Sequence, residues 1–230
     1  MLIAVTDTET TGLKIEEGAK AVEFAVTLFC TKTRSLVSSC STILYHDQNP
    51  QEHTNRIPLE TLTLHNWPKT LEVGLMHDMM MRADYIIAHK AAFDRPFVNL
   101  IFQEYNLSVP AEGKWICSLE SMEFPHQTGS KKLTHLAADH GIFVVGSHRA
   151  LQDTLTLAHL LLLIPNLEDQ INNALIPRFI YNALVSFDQK EDAKAIGFAW
   201  HPEPKKWQRK LTEEEAEQIN QSGLFQVEKA

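Results

Sequence analysis

The sequence predicts an α/β protein with a mixed central sheet flanked by helices, followed by a small C-terminal α+β module. Three observations lead to this prediction. Apolar runs joined by short turns fill the first part of the chain, strand-like and helical patterns then alternate, and the pattern changes again near residue 166. The chain has 230 residues, of which 44% are hydrophobic, so it is long enough for one ordinary domain plus a smaller one.

The first domain is predicted over residues 1–165. Short apolar or β-branched runs bounded by turn residues predict strands at Leu2–Thr6, Ala21–Phe29, Leu36–Leu44, Tyr85–Ala88 and Trp115–Cys117. Apolar residues with helical spacing predict helices at Pro58–Leu64, Thr70–Met81, Ala92–Tyr105, Lys132–His140 and Arg149–Leu163. Hairpin-like connections between the first three strands favour an antiparallel meander, and the later strands alternate with helices.

The remaining chain is predicted to hold a connector at 166–177, a module at 178–218 and a tail at 219–230. Within the module, the pattern indicates a strand at 178–188, a short helix at 189–196 and a hairpin at 198–211. Thr212 followed by three glutamates is typical of a capped helix start, because acids in the first turn complement the helix dipole. The module is therefore a strand–helix–hairpin–helix unit.

Composition excludes several classes of function. The formal net charge is −8, so electrostatic attraction of the whole protein to nucleic acid is ruled out as the main mode of binding. A local basic patch or a metal-bridged site is still possible. The three cysteines are odd in number and widely spaced, which indicates a reducing compartment rather than a disulfide framework or zinc site. No export signal or membrane span is visible, so we expect a soluble cytoplasmic protein.

Asp7 and Glu9 lie two residues apart where the first strand ends. A period of two places both side chains on one face of a sheet. Adjacent acids repel each other unless a cation lies between them, and hard oxygen ligands of this kind suit Mg²⁺ or Mn²⁺. A solvated strand end is the alternative, and it is the better interpretation of this short pattern alone.

Two further sets of polar residues follow buried elements. Asp94 opens the helix after the strand Tyr85–Ala88, where its simplest role is that of a partner for the helix dipole. The end of a buried strand is also a usual place for an active site. His148 lies on the loop before the helix that carries Asp153, and an inward-facing acid on a helix requires a partner such as a metal.

Three motifs occur in order along the chain: D-T-E-T-T-G from residue 7, A-H-K-A-A-F-D from residue 88 and H-R-A-L-Q-D from residue 148. This ordered trio resembles the DEDDh family of 3′–5′ exonucleases, and most closely its exonuclease X branch, over residues 1–165. The resemblance implies a ribonuclease H-like fold. It also implies hydrolysis of the terminal phosphodiester of DNA with two Mg²⁺ or Mn²⁺ ions per active site.

The resemblance assigns roles residue by residue. The implied metal ligands are Asp7, Glu9, Asp94 and Asp153. His148 matches the general base that takes the proton of the attacking water. The residues implied to hold the terminal nucleotide are Thr10, Thr11, Gly12, Leu13, Glu60 and His65. The sequence departs from the family pattern at Lys90, where Asn is usual, and at Asn66-Trp67, where Gly is common, so substrate placement there is less defined.

The function implied by the resemblance is a 3′–5′ exodeoxyribonuclease acting on DNA 3′ ends in repair or proofreading. The same chemistry on RNA is the closest alternative, because nothing in the motifs excludes a 2′-hydroxyl. A catalytically idle nucleic-acid-binding adaptor on the same fold is a third interpretation. The presence of all four acids and the histidine disfavours it, because such groups are costly to place together.

The C-terminal region offers two further hypotheses. In one interpretation, the core of the module is formed by Phe198, Trp200 and Trp207. In the other, a tryptophan and nearby lysines bind the substrate. The segment Gln221, Leu224 and Phe225 resembles a motif that docks bacterial replication enzymes on the sliding clamp. The alternative is that Leu224 and Phe225 fold back onto the core of the module.

Overall fold

The structure, a computed structural model, describes residues 1–230 and divides into two compact units, Met1–Ala174 and Leu175–Ala230. The first unit contains a five-stranded sheet and the second a four-stranded sheet. No single helix is long and apolar enough to cross a bilayer; only the pair 150–163 and 167–174, bent by 110° at its break, reaches that length and composition together.

The first sheet is mixed, and the predicted fold class is confirmed. Its strand order is β3-β2-β1-β4-β5, in which β1, β2 and β3 are antiparallel neighbours and β4 and β5 run parallel to β1. The strands are β1 (Leu2–Thr10), β2 (Ala21–Cys30), β3 (Ser35–Ile43), β4 (Tyr85–Ala88) and β5 (Trp115–Cys117). The carboxyl end of β1 therefore lies beside the start of β2.

Strand β1 is longer than the predicted run, which ended at Thr6. Residues 7–10 remain paired with β2, with Asp7 opposite Ala25 and Glu9 opposite Glu23. The backbone hydrogen bonds of this ladder extend the strand although its side chains become polar. The two acids that follow the apolar run are consequently held in rigid strand rather than in a turn.

Helices cover both faces of this sheet. The helices of the first unit are α1 (Glu52–Asn55), α2 (Leu59–Leu64), α3 (Thr70–Arg82), α4 (Ala91–Glu104), α5 (Ser118–Ser121), α6 (Leu133–Asp139), α7 (Ala150–Leu163) and α8 (Leu167–Ala174). Apolar residues of α3 and α4, such as Met76 and Phe102, share a core with Phe24 of β2. Thr27, which alternation places on the other face, hydrogen-bonds Thr154 of α7 at 3.0 Å.

The segment 166–177, predicted as a connector, is largely helical. Helix α8 buries Leu167 and Ile171, one turn apart, and belongs to the first unit. Two apolar positions were too few to predict a helix from periodicity, and burial against the rest of the unit supplies the missing stabilisation.

The second unit pairs four short antiparallel strands with two helices. In chain order its elements are β6 (Phe179–Leu184), α9 (Lys190–Ala195), β7 (Ala199–His201), β8 (Lys206–Leu211), α10 (Glu213–Ser222) and β9 (Gln226–Lys229). Thr212 and Glu215 form a capping box at the start of α10, with hydrogen bonds of 3.1 and 2.8 Å. The first strand ends at Leu184 rather than at Asp188.

The segment 219–230, predicted as a tail, is part of the folded module. Helix α10 continues to Ser222, and β9 pairs with β6. Phe225 is buried, with its ring centroid 5.8 Å from that of Phe198. The clamp-binding prediction for Gln221, Leu224 and Phe225 does not fit this arrangement, because docking requires an extended peptide with a free aromatic side chain.

The aromatic core of the module is smaller than predicted. Phe198 is buried, and Trp207 packs partly against the core, but Trp200 is half exposed. Trp200 and Trp207 are cross-strand partners in the hairpin, and their ring centroids lie 5.9 Å apart. One tryptophan face is thus available to solvent on an edge strand.

Candidate active site

Asp7 and Glu9 project from one face of β1, close to its end. Both are half-buried, while the intervening Thr8 points to the opposite face and is buried. The neighbouring strand β2 is buried along nearly its whole length, so the sheet gives these carboxylates little freedom. Their spacing is fixed by the strand itself.

Asp94 reaches the same strand end from helix α4. It lies in the first turn of the helix and is only 3% exposed. Its Oδ1 accepts hydrogen bonds from the Thr8 backbone N–H at 3.1 Å and from Thr8 Oγ1 at 2.9 Å. The structure therefore brings the third predicted acid against β1, as the motif order suggested.

Asp153 and His148 meet Glu9 near the start of α7. The ligand atoms of these three residues all lie within 4.8 Å of one another. Asp153 Oδ2 accepts the backbone N–H of His148 at 3.1 Å, which ties the loop to the helix. His148 is exposed and has a φ of 65°, a left-handed conformation that directs the chain sharply into α7.

Glu23, which the sequence analysis did not single out, holds the start of α7. This 2% exposed carboxylate accepts hydrogen bonds from Arg149 Nε at 2.9 Å, from Arg149 Nη2 at 3.0 Å and from the Ala150 backbone N–H at 3.0 Å. A lone acid inside the apolar run A-V-E-F-A-V was the available signal, because such acids are rarely buried without a partner.

The pKa values of the four predicted acids are all raised. Burial is the main cause, with the negative charges of neighbouring acids adding to it: the pKa of Glu9 is raised to about 8, and that of Asp7 is raised well above its ordinary value. Burial also raises the pKa of Asp94 to about 7 and that of Asp153 to about 6, although hydrogen bonds from Thr8 and His148 oppose the change.

This donor set fits a divalent cation. Carboxylate oxygens gathered in a buried site are the ligands that hard cations such as Mg²⁺ and Mn²⁺ prefer. A cation among Asp7, Glu9, Asp94 and Asp153 would stabilise their charged forms, which burial disfavours and which, at Asp7 and Glu9, the neighbouring acids disfavour further. Arg149 is paired with Glu23, and its charge opposes the rise in the pKa of Glu9 without cancelling it.

Hydrogen bonds and close packing hold the segment 10–13, which follows Asp7 and Glu9. Thr11 donates its N–H to the Lys20 carbonyl at 2.8 Å, and Thr10 Oγ1 donates to the Gly12 carbonyl at 2.7 Å. A Cβ on Gly12 would lie 3.2 Å from the Ala19 side chain. Leu13 is 76% exposed, so an apolar side chain projects from the segment predicted to hold the terminal nucleotide.

The other predicted substrate residues belong to helix α2 and its end. Glu60 is exposed, and His65 Nδ1 lies 2.7 Å from the Thr61 carbonyl oxygen. The same helix buries Leu62 against Val22, the residue before Glu23. Lys90, the departure from the family pattern, is exposed at the N-cap of α4, and its charge slightly lowers the pKa of Asp94.

Two family models match the chain. A model described as exonuclease (RNase_T) covers residues 4–161, which include every acid of the cluster. A model described as a domain of unknown function, DUF8626, covers residues 179–229 and so coincides with most of the second unit. No curated protein matches the chain at a significant level.

Solved exonuclease structures resemble the chain. An exonuclease I structure is 16% identical, with a TM-score of 0.60 over 75% of this chain and 43% of that chain. E. coli exonuclease I in complex with a dT13 oligonucleotide is 15% identical, with a TM-score of 0.61 over 88% and 53%. The nuclease domain of 3′hExo, a DEDDh family member bound to rAMP, is 20% identical, with a TM-score of 0.56 over 70% and 90%.

Because these sequence identities are low, the similarity shows only that the chain shares its fold with these exonucleases. The chain spans about half the length of the exonuclease I chains that it matches. The predicted relation to the exonuclease X branch stays a prediction.

Proposed function

The chain belongs to the DEDDh exonuclease family, and from this membership we propose that it is a metal-dependent 3′–5′ exodeoxyribonuclease that releases nucleoside monophosphates from DNA 3′ ends. The observation that best supports the proposal is the convergence of four acids and one histidine where β1, α4 and α7 meet. Burial raises the pKa values of all four acids, and repulsion adds to the effect at Asp7 and Glu9, which supports a cation-binding cluster rather than a solvated strand end.

Exonucleases of this family depend on divalent metal ions. In our proposal the ions are Mg²⁺ or Mn²⁺, held by Asp7, Glu9, Asp94 and Asp153. When bound, such ions promote deprotonation of water and neutralise the leaving oxygen in an in-line displacement. The protein itself supplies the rigid β1 ladder and the hydrogen bonds of Thr8, which keep the carboxylates in position.

His148 is proposed as the general base. An imidazole can be neutral at physiological pH and accept a proton, and the exposed ring of His148 is open to water. The bond from its backbone N–H to Asp153 ties its position to that of a proposed metal ligand. The water loses its proton to His148 as its oxygen attacks phosphorus, and the departing 3′ oxygen of the next nucleotide leaves on the opposite side.

Thr10, Thr11, Gly12 and Leu13 are proposed to hold the 3′ end. The backbone amides that follow Thr11 suit the terminal hydroxyl and phosphate, and the exposed Leu13 side chain suits contact with the last base. Glu60 and His65 are proposed to complete the contact from α2. The rigid pairing of Thr11 with Lys20 supports this role, because a preorganised segment positions substrate at lower entropic cost.

DNA is the proposed substrate, with RNA as the alternative. A neighbour of similar fold binds a dT13 oligonucleotide, and another binds rAMP, so both sugars must be compared on this chain. Removal of mononucleotides from 3′ ends serves DNA repair and proofreading, and we propose a role of that kind.

Digestion of matched DNA and RNA oligonucleotides tests the proposal. With Mg²⁺ or Mn²⁺, a 3′-labelled DNA strand should release labelled mononucleotide at once, while a 5′-labelled strand should shorten stepwise. EDTA and Asp7→Ala should both abolish release, and Asp169→Ala, an exposed acid of α8, should leave it unchanged. Absence of nucleotide release from both single-stranded and duplex DNA would refute the proposal. Faster release from RNA than from DNA would show that RNA is the preferred substrate.

A further inference from the structure

The segment that follows helix α2 contains an aromatic residue that departs from the family pattern. Trp67 belongs to the pair Asn66-Trp67, where Gly is common, and the sequence alone left substrate placement there less defined. In the structure the Trp67 ring stacks on the ring of His65, with centroids 4.8 Å apart and an interplanar angle of 28°. Such a stack restricts rotation of the half-buried imidazole. His65 is therefore held by a residue to which the resemblance assigns no role.

The backbone brings these two rings together. The Trp67 N–H donates to the His65 carbonyl at 2.9 Å, so the chain makes a three-residue turn directly after α2. Pro68 follows, and a proline restricts the backbone of the residue before it to extended conformations. Trp67 consequently has little freedom to swing its ring away from His65.

Lys69 covers the second face of the Trp67 ring. Its Nζ lies 3.4 Å from the ring centroid, which is a cation–π contact, and the ammonium group and the imidazole cannot both fit over one face at these distances. Lys69 is only 3% exposed, Glu72 supplies a negative charge close to it, and its backbone N–H donates to Tyr105 Oη at 3.2 Å. The tryptophan is thus packed between a fixed lysine and the imidazole.

A hydrogen bond fixes the tautomer of His65. Its Nδ1 lies 2.7 Å from the Thr61 carbonyl oxygen, one turn earlier in the chain. Because a carbonyl oxygen only accepts, Nδ1 carries the proton of the neutral ring, and Nε2 keeps an unprotonated lone pair. That nitrogen can accept a hydrogen bond from a hydroxyl group, such as the 3′-hydroxyl of a nucleotide.

The stacked rings adjoin the segment proposed to hold the 3′ end. Trp67 and Lys20 line the same cavity of about 220 Å³. Lys20 and Thr11 are joined by two hydrogen bonds, Thr11 N–H to the Lys20 carbonyl at 2.8 Å and Lys20 N–H to Thr11 Oγ1 at 3.0 Å. Asn55, shortly before α2, also donates its Nδ2 to the Thr10 carbonyl at 3.4 Å. His65 is therefore held close to the residues proposed to bind the terminal nucleotide.

We propose that Trp67 is a positioning residue, which holds the His65 ring so that its Nε2 accepts a hydrogen bond from the terminal hydroxyl of the substrate. The inference rests on the proposed exonuclease function, because that function supplies the substrate. Trp67 acts through His65 and does not itself bind a base, since both faces of its ring are covered.

A double-mutant cycle tests the inference, with labelled DNA as substrate and Mg²⁺ or Mn²⁺ present. His65→Ala should raise KM by about three- to tenfold, as expected for one neutral hydrogen bond, and should change kcat by less than about twofold. Trp67→Ala should raise KM by a similar factor, and Trp67→Phe, which keeps a ring for the stack, should restore it. In the His65→Ala background, Trp67→Ala should have no further effect, because the residue that it positions is absent.

NMR of the histidine ring nitrogens supplies a measurement that does not require activity. At about pH 8, where an imidazole is neutral, His65 should show a protonated Nδ1 and an unprotonated Nε2. Trp67→Ala should shift the His65 ring protons downfield, because protons over an indole face are shielded. Leu71→Ala, which truncates an 86% exposed side chain of α3, is the matched control and should change neither KM nor these resonances.

Three results would overturn the inference. The first is a KM for His65→Ala equal to that of the wild type, and the second is a set of His65 resonances that Trp67→Ala leaves unchanged. The third is multiplication of the two single effects in the double variant, because Trp67 would then act independently of His65. Failure of the wild-type protein to release nucleotides from DNA, with the NMR result as expected, would contradict the exonuclease function and the hydroxyl contact but would support the positioning of His65 by Trp67.

Discussion

Glu23 and Asp94 are both almost fully buried, yet their partners differ. Glu23 has the Arg149 guanidinium as a bidentate counterion. Asp94 forms no ion pair; it accepts the hydrogen bonds of Thr8 and feels the charge of Lys90, yet burial still raises its pKa to about 7. The protein therefore compensates the structural acid internally and leaves the cluster acids short of positive charge. This difference separates a positioning residue from the proposed metal ligands.

The cluster predicts an unusual pH dependence of stability without metal. Burial raises the pKa of Glu9 to about 8, of Asp94 to about 7 and of Asp153 to about 6, from ordinary values of 4.5 for Glu and 3.8 for Asp. Between about pH 4 and 8 the folded state therefore binds more protons than the unfolded state. In EDTA, the free energy of unfolding should fall as pH rises through this window. Melting temperatures at pH 5 and pH 8 measure the effect.

Metal should reverse this trend, because cations compete with protons for the same oxygens. With Mn²⁺ or Mg²⁺, the melting temperature should rise relative to EDTA, and by more at pH 8 than at pH 5. Glu9→Gln should show a shallower decline in EDTA. A melting temperature in EDTA that increases from pH 5 to pH 8 would contradict the assignment of the buried acids.

Replacement of His148 tests the general base. His148→Asn keeps a side chain that tolerates the left-handed backbone at this position but cannot accept a proton. Turnover should fall by about 10²–10⁴-fold, with little change in melting temperature because the side chain is exposed. His159→Ala, an exposed histidine on the same helix α7, is the control. Wild-type turnover of His148→Asn across neutral pH would exclude the role.

At the scale of elements, α7 depends on β2 for its N-terminus. Arg149, the N-cap residue, makes no side-chain cap of its own, and the Glu23 carboxylate instead accepts the Ala150 N–H. A negative charge at a helix N-terminus also complements the helix dipole. One turn further along, Thr154 bonds Thr27. These contacts fix the helix that presents Asp153.

Glu23→Gln should therefore impair both stability and catalysis. The substitution keeps the shape but leaves the Arg149 guanidinium without its counterion, and the free energy of unfolding should drop by about 1–3 kcal/mol. Turnover should fall while substrate affinity changes less, because α7 carries the proposed ligand Asp153. Urea denaturation and steady-state kinetics measure the two effects.

The exposed pair Arg95–Glu112 offers a matched control. Glu112→Gln removes a carboxylate that is 83% exposed, so stability should change by less than about 0.5 kcal/mol. Equal effects of Glu23→Gln and Glu112→Gln would show that burial of the pair contributes nothing.

The sequence predicted the first unit well where periodicity was strong. The strands and the long helices α3, α4 and α7 were expected within a few residues, because each buries an apolar face. Strand β9 was missed because Q-V-E-K is short and polar, and only its pairing with β6 stabilises it. A local sequence pattern cannot predict a strand whose stability depends on pairing with a distant strand.

The candidate site likewise contains residues that local sequence motifs predicted and residues that only distant contacts reveal. Ordered motifs predicted the acids and His148 as site residues, and the structure brings these side chains together. The contact between Glu23 and Arg149 joins residues 126 positions apart, so no spacing rule reveals it.

The second unit permits a test of its own core. Phe225 is 5% exposed among Phe198 and Val227, whereas Leu224 is 43% exposed. Phe225→Ala should destabilise this unit by about 3–5 kcal/mol, and Leu224→Ala should cost much less. Hydrogen exchange of the β6 amides is the suitable measurement, because a protein of two units need not unfold in one step. Equal loss of protection in the two variants would contradict the buried position of Phe225.

At the scale of the whole molecule, a net charge of −8 opposes binding to a polyanion. Affinity for DNA must then come from local features. In the proposed function, metal ions held by the cluster would supply one, and the basic, aromatic hairpin of the second unit would supply another. Trp200 is half exposed, and Lys205 in the same hairpin turn forms no ion pair. Stacking on an exposed ring needs little net charge, so it suits an acidic protein.

Removal of residues 175–230 should therefore weaken DNA binding more than it lowers the maximal rate. The first unit keeps its own core and all proposed catalytic residues, so its rate at saturating DNA should stay within about threefold of wild type. Trp200→Ala in the intact chain should reproduce part of the loss, about 1–3 kcal/mol for one stacked base. Phe187→Ala, which removes a 79% exposed ring elsewhere in the unit, is its control. Equal affinity of the full and truncated chains at matched low salt would show that the second unit does not bind DNA.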